Sequence, residues 1–135
     1  SSDLWAPRID RIVLDSPVLD WRAVLAANVA RARLPRAAAR GAEAWLGHPR
    51  RARGLGLDAP IDLDALDGVR RASEVAQPVL VHHGLRDWSV PIAASRAFVA
   101  RAPDARLVTG DGGHTTGWNT DPVAWHAETV AFLDR

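Results

Sequence analysis

The chain has 135 residues, 47% of them apolar and 24% charged, with a formal net charge of +1, the balance of one soluble domain able to bury a sizeable core. Near-neutral charge gives no push toward nucleic acid or an anionic membrane, and the lack of cysteine excludes disulfides and thiolate metal sites. No apolar stretch is long enough to span a bilayer and no signal peptide is recognisable, so a cytoplasmic protein is expected. All 17 basic residues are arginine and methionine is absent, so residue 1 is expected not to be the natural start.

The first element is the apolar run Ile12-Val13-Leu14, which ends in Asp15-Ser16-Pro17. A short run without polar alternation suits a strand buried on both faces. Trp21, Val24, Leu25, Asn28, Val29 and Ala32 follow at helical spacing, and Asp20 is placed to cap that helix. Residues 35–60 carry Pro35, Pro49 and Pro60, and seven arginines fall between Arg31 and Arg53. A helix is predicted near Ala37–Leu46, and another over Leu63–Ala72. This excursion, residues 31–75, is either a cap over a site or a set of connecting helices.

Val79-Leu80-Val81 is the second buried run, ending at His82-His83-Gly84. Pro91 sits where a helix opens, with Ile92, Phe98, Val99 and Ala102 after it. Leu107-Val108-Thr109 is the third run, ending at Gly110. Asp121-Pro122 is a cap plus first-turn proline for a helix through Leu133. Strand and helix alternate three times, which predicts an α/β fold: a mostly parallel, three-stranded sheet with flanking helices and right-handed crossovers.

Chemistry concentrates in two loops. One reads His83-Gly84-Leu85-Arg86-Asp87-Trp88-Ser89-Val90-Pro91; the other runs from Gly110 through Gly112, Gly113 and His114 to Asn119. In open α/β sheets ligands bind beyond the carboxyl ends of the strands. Asp87 and His114, 27 residues apart, both lie a few residues past such an end and can share one edge. An imidazole can take a proton from a nucleophile and return it to a leaving group. A carboxylate bonded to its other nitrogen fixes the tautomer and stabilises the imidazolium. The glycines at 110, 112 and 113 are expected to let the backbone turn sharply and to bring His114 close to other chain segments.

His83-Gly84-x-x-Asp87-x-x-Val90-Pro91 followed by Gly112-Gly113-His114 resembles the C-terminal half of the α/β-hydrolase superfamily. Residues 11–17 look like the strand after that family's nucleophile helix. The likeness runs from about Asp10 to the C-terminus, and it is nearest to the serine aminopeptidase and prolyl-oligopeptidase-like group of esterases and peptidases. The family order is Ser…Asp…His. The resemblance therefore implies Asp87 as acid and His114 as base, no cofactor and no metal. It implies an ester or amide, peptide-like carbonyl as substrate. No Gly-x-Ser-x-Gly occurs in the chain. Residues 1–135 are thus expected to be a partial domain, inactive alone, whose N-terminal half carries the nucleophile. The alternative is a truncated, non-catalytic domain that binds a partner along an unpaired strand edge.

Other residues have plainer readings. Ser16 follows a strand, but Pro17 comes next, and a structural serine is expected. His82 is read as packed at a strand end, His48 and His126 as surface residues. Asp58, Asp62, Asp64 and Asp67 lack the rest of a calcium loop and suit capping. The Arg31–Arg53 stretch reads as a solvated face rather than a nucleic-acid patch. Gly110-x-Gly112 lacks the spacing of a dinucleotide loop. Trp88 and Trp118, beside Asp87 and His114, either line an apolar substrate pocket or pack in the core.

Overall fold

The computed structural model describes residues 9–54 and 56–135. Three strands form one sheet in the order β1 (Ile12–Asp15), β2 (Val79–Gly84), β3 (Ala105–Gly110), and both pairings are parallel. Ile12 pairs with Val79 and Asp15 with His82; Val79 pairs with Ala105 and Gly84 with Gly110. The central strand is buried along its whole length. That is why its first half is Val-Leu-Val: with both faces covered, each such side chain contributes about 1.5–3 kcal/mol on burial. The strand continues past the apolar run through His82, His83 and Gly84.

Alternation then sorts the side chains. Val79 and Val81 face a core made with Leu19, Ala72, Ala94 and Phe98, to which Ile12, Leu14, Ala105 and Leu107 add from the neighbouring strands. Helix α4 (Ile92–Val99) supplies Ala94 and Phe98 to that side. His82 faces the other way, toward helix α6 (Pro122–Leu133), which follows the single turn α5 (Gly117–Thr120). Its Nε2 lies 3.0 Å from the Thr129 hydroxyl, and its ring meets Trp125 at 5.1 Å. Arg106 reaches Glu128 on the same side at 2.7 Å.

The predicted helix ends are where the capping chemistry puts them. Asp20 accepts from the Ala23 amide at 2.9 Å and opens α1 (Trp21–Arg31). Asp121 accepts from the Ala124 amide at 3.0 Å, with Pro122 in the first turn of α6. Between β1 and β2 lie α2 (Ala37–Leu46), which packs against α1, and the short α3 (Pro49–Gly54).

The predicted helix over Leu63–Ala72 does not form. The chain runs there in turns, with one 3-10 turn at Ala72–Glu74. The acidic residues divert the backbone, because their carboxylates compete for the amides a helix would use. Asp62 Oδ1 accepts from Asp64 and Ala65, and Asp67 Oδ1 from Arg70. Gly68 is drawn onto Leu19, whose carbonyl takes the Gly68 amide at 2.9 Å.

Candidate active site

Because β2 and β3 are parallel neighbours with Gly84 opposite Gly110, their two exit loops leave the sheet side by side. Three residues past Gly84 comes Asp87; four past Gly110 comes His114. The loops are tied together. The Leu85 amide donates to the Gly110 carbonyl at 2.8 Å and the Arg86 amide to that of Gly112 at 3.0 Å. The Arg86 guanidinium donates to the Asp111 carbonyl at 2.9 Å and also meets the Asp111 carboxylate.

The result is a direct pair. Asp87 Oδ2 accepts from His114 Nδ1 at 2.9 Å. The Asp87 side chain is fully buried, and that of His114 is 39% exposed. The other oxygen of Asp87 caps its own turn, accepting from the Ser89 amide at 3.0 Å and the Val90 amide at 2.9 Å. One oxygen of Asp87 thus caps its turn and the other bonds His114. Burial is the largest single influence on this carboxyl and pushes its pKa up. The bonds from Val90, His114 and Ser89 together outweigh it and hold the group below the usual carboxylate range.

An ionised carboxylate only accepts, so Nδ1 of His114 carries the hydrogen. In the neutral ring Nε2 then has a free lone pair. Nε2 has no hydrogen-bond partner among the described residues. A ring held on one side by a carboxylate and open on the other can take a proton from an approaching hydroxyl.

Of the loop glycines, Gly112 shows a close approach to another part of the loop. Gly110, Gly112 and Gly113 do not adopt positive φ; Thr115 does, at +50°. A Cβ on Gly112 would lie 2.9 Å from the Thr116 hydroxyl. That hydroxyl accepts from the Gly113 amide at 2.8 Å, just before His114. Ser16, at the end of β1, is buried, also has positive φ (+49°), and accepts from the Thr115 amide at 3.2 Å. It braces the histidine loop from below.

Trp88 is 71% and Trp118 52% exposed, so neither packs in the core. The Arg31 guanidinium lies 5.4 Å from the Trp88 ring centre, and Trp118 Nε1 donates to the Thr115 carbonyl at 2.9 Å. His82 is packed as expected, and burial, its largest influence, lowers its pKa. His48 and His126 are exposed. Among the described residues no cluster of side chains suits a metal ion, and no helix is long and apolar enough to cross a membrane.

One neighbour of the pair has no role in the sequence reading. His83 is buried, with Nε2 at 3.4 Å from Asp87 Oδ2. The available signal was parity: on a strand His83 must point to the face opposite His82, toward the helix that follows the Asp87 turn.

No family model matches the sequence, and no curated protein matches it either. Solved structures do. An esterase from Pyrococcus furiosus superposes on 96% of the chain with a TM-score of 0.64 and 18% identity, using 45% of its own length. A hydrolase from Pseudomonas aeruginosa and the enol-lactonase from Burkholderia xenovorans each cover 96% of the chain at 21% identity. Their TM-scores are 0.57 and 0.55, over 58% of their own lengths. These are α/β-hydrolase fold proteins, and the chain has part of that fold: a three-stranded parallel sheet with flanking helices. It spans about half the length of the structures it matches. At these identities the likeness shows the fold alone.

Proposed function

We propose that the chain is the C-terminal part of a serine hydrolase of the esterase–peptidase type, acting on an ester or amide carbonyl. The observation that supports it most is the His114–Asp87 pair, with the second nitrogen of His114 unengaged beyond the carboxyl ends of two parallel strands. In this reading a serine supplied by residues outside the 135 loses its proton to His114 Nε2 as its oxygen attacks the carbonyl. His114 then gives that proton to the departing alcohol or amine. Water repeats the sequence and releases the acid. Asp87 stays ionised and stabilises the imidazolium in both halves. Trp88 and Trp118 flank the pair and offer exposed aromatic surface to the apolar part of a substrate.

The β1 edge supports an incomplete sheet. Among the described residues no strand pairs with its outer side, and a groove of about 550 Å³ lies on the core face beside it, between Ile12, Leu14, Leu66 and Phe98. In this proposal the strand and helix bearing the nucleophile cover it.

Labelling of the full-length gene product with a fluorophosphonate tests this. Labelling that disappears in His114→Ala is the expected result. Equal labelling of the variant, or none of the wild type, overturns the proposal. The second outcome returns the partner-binding alternative, with the β1 edge as its docking side.

A further inference from the structure

We propose that His83 is a positioning residue for the Asp87–His114 pair, a role that rests on the hydrolase reading for its purpose but not for its geometry. His83 is 2% exposed, at the end of the central strand. Its ring is held at both nitrogens: Nδ1 lies 2.8 Å from Ser95 Oγ on α4, and Nε2 lies 3.1 Å from the Val90 carbonyl. A carbonyl can only accept, so Nε2 carries the hydrogen. In the neutral ring Nδ1 must then accept from the Ser95 hydroxyl, which is itself fully buried.

The single tautomer so defined places an N–H 3.4 Å from Asp87 Oδ2, the oxygen that receives His114. The same N–H holds Val90, whose amide bonds the other Asp87 oxygen at 2.9 Å. One ring thus closes the turn at its Val90 end and lies beside the carboxylate at its working end. Ser95 ties this arrangement to α4, so the acid is referenced to the core rather than to a loop. No other side chain among the described residues joins β2, α4 and the Asp87 turn by hydrogen bonds in this way.

The substitution His83→Leu keeps an apolar side chain in the buried site and removes both bonds. His83→Gln retains an amide donor near the position of Nε2. The readout is the far-downfield proton of His114 Nδ1, observed by NMR in the full-length protein, beside the fluorophosphonate labelling rate. The expected result is loss or upfield movement of that proton in His83→Leu, with labelling slowed about tenfold to a hundredfold, and recovery of both in His83→Gln. A merely structural role lowers the thermal midpoint of His83→Leu and leaves the His114 proton where it was; that result overturns the proposal. If His83→Leu does not fold, Ser95→Ala decides. It removes the partner of Nδ1 and the tie to α4, leaving the ring held only at Nε2, and is expected to weaken the same proton signal, whereas an unchanged signal overturns the proposal. Wild-type protein that is never labelled sinks the hydrolase reading alone, because the proton signal still reports on His83.

Discussion

Gly84 and Gly112 meet so closely that a Cβ on Gly84 would lie 2.2 Å from the Gly112 carbonyl oxygen and 2.5 Å from that of Gly113. This contact sets the spacing of the two exit loops, and so the reach of His114 to Asp87. Backbone cannot yield as the end of a flexible side chain can. Gly84→Ala is expected to cost roughly 1–3 kcal/mol or more, the range for forced overpacking, and to separate the pair. Gly110→Ala, two residues before Gly112, meets nothing within 4 Å, and a change within about 0.5 kcal/mol is expected, as for open surface sites. Urea unfolding of both variants in the full-length protein checks the contrast. Equal losses would mean that the loop contact is not what the glycine protects.

Asp87→Asn keeps the volume and keeps an oxygen for the Ser89 and Val90 amides. Its amide nitrogen then faces His114 Nδ1, donor against donor. The ring is expected to exchange tautomer, putting its hydrogen on Nε2 and leaving no base. Turnover, or the labelling rate, should fall by about 10³–10⁴, the scale for the wrong tautomer in such a triad. A loss of less than tenfold would show that Asp87 serves its turn and not the histidine.

How far the sequence carried this reading depended on the range of the interactions. The three strands and the capped helices were legible because apolar runs and Asp20 or Asp121 act on their own neighbours. The Asp87–His114 bond was inferred from two loops that each follow a strand, and the parallel register makes that inference work. Two things escaped it. The Leu63–Ala72 segment has helical composition, but local carboxylate bonds and the docking of Gly68 on Leu19 win there. The bracing of the histidine loop by Ser16 spans 99 residues. It depends on left-handed backbone at Ser16 and Thr115, for which neither residue type gives a signal.

Ser16 separates structural from chemical roles in a second experiment. It is 3% exposed and takes the Thr115 amide, so Ser16→Ala leaves that amide without its acceptor. A loss of about 0.5–1.5 kcal/mol is expected, the net contribution of such a hydrogen bond, because Thr115 is exposed and water can reach its amide. Fluorophosphonate labelling should persist at a reduced rate, since the nucleophile proposed here lies elsewhere. Complete loss of labelling in a folded Ser16→Ala protein would make Ser16 the nucleophile and end that part of the proposal.

The acid side of the stability curve should show two separate windows. His82 is packed between Trp125 and Thr129, with Asp15, Glu128 and Arg106 as the charges around it. Burial keeps its pKa below the ordinary 6.5 in the fold. Between the folded and unfolded values the unfolded chain binds more protons, so stability falls as pH drops through about 6.5 and levels off below the folded value. Asp87 behaves as a depressed carboxylate: its contribution is complete above the ordinary 3.8 and is lost only as pH falls below it, through the folded value. His82→Gln keeps an amide for the Thr129 hydroxyl and cannot take up a proton. The variant is expected to lose the upper slope and retain the lower one, measured as unfolding midpoints from pH 7.5 to 3. If the slope near 6.5 survives in His82→Gln, another histidine carries it and the burial argument for His82 is wrong.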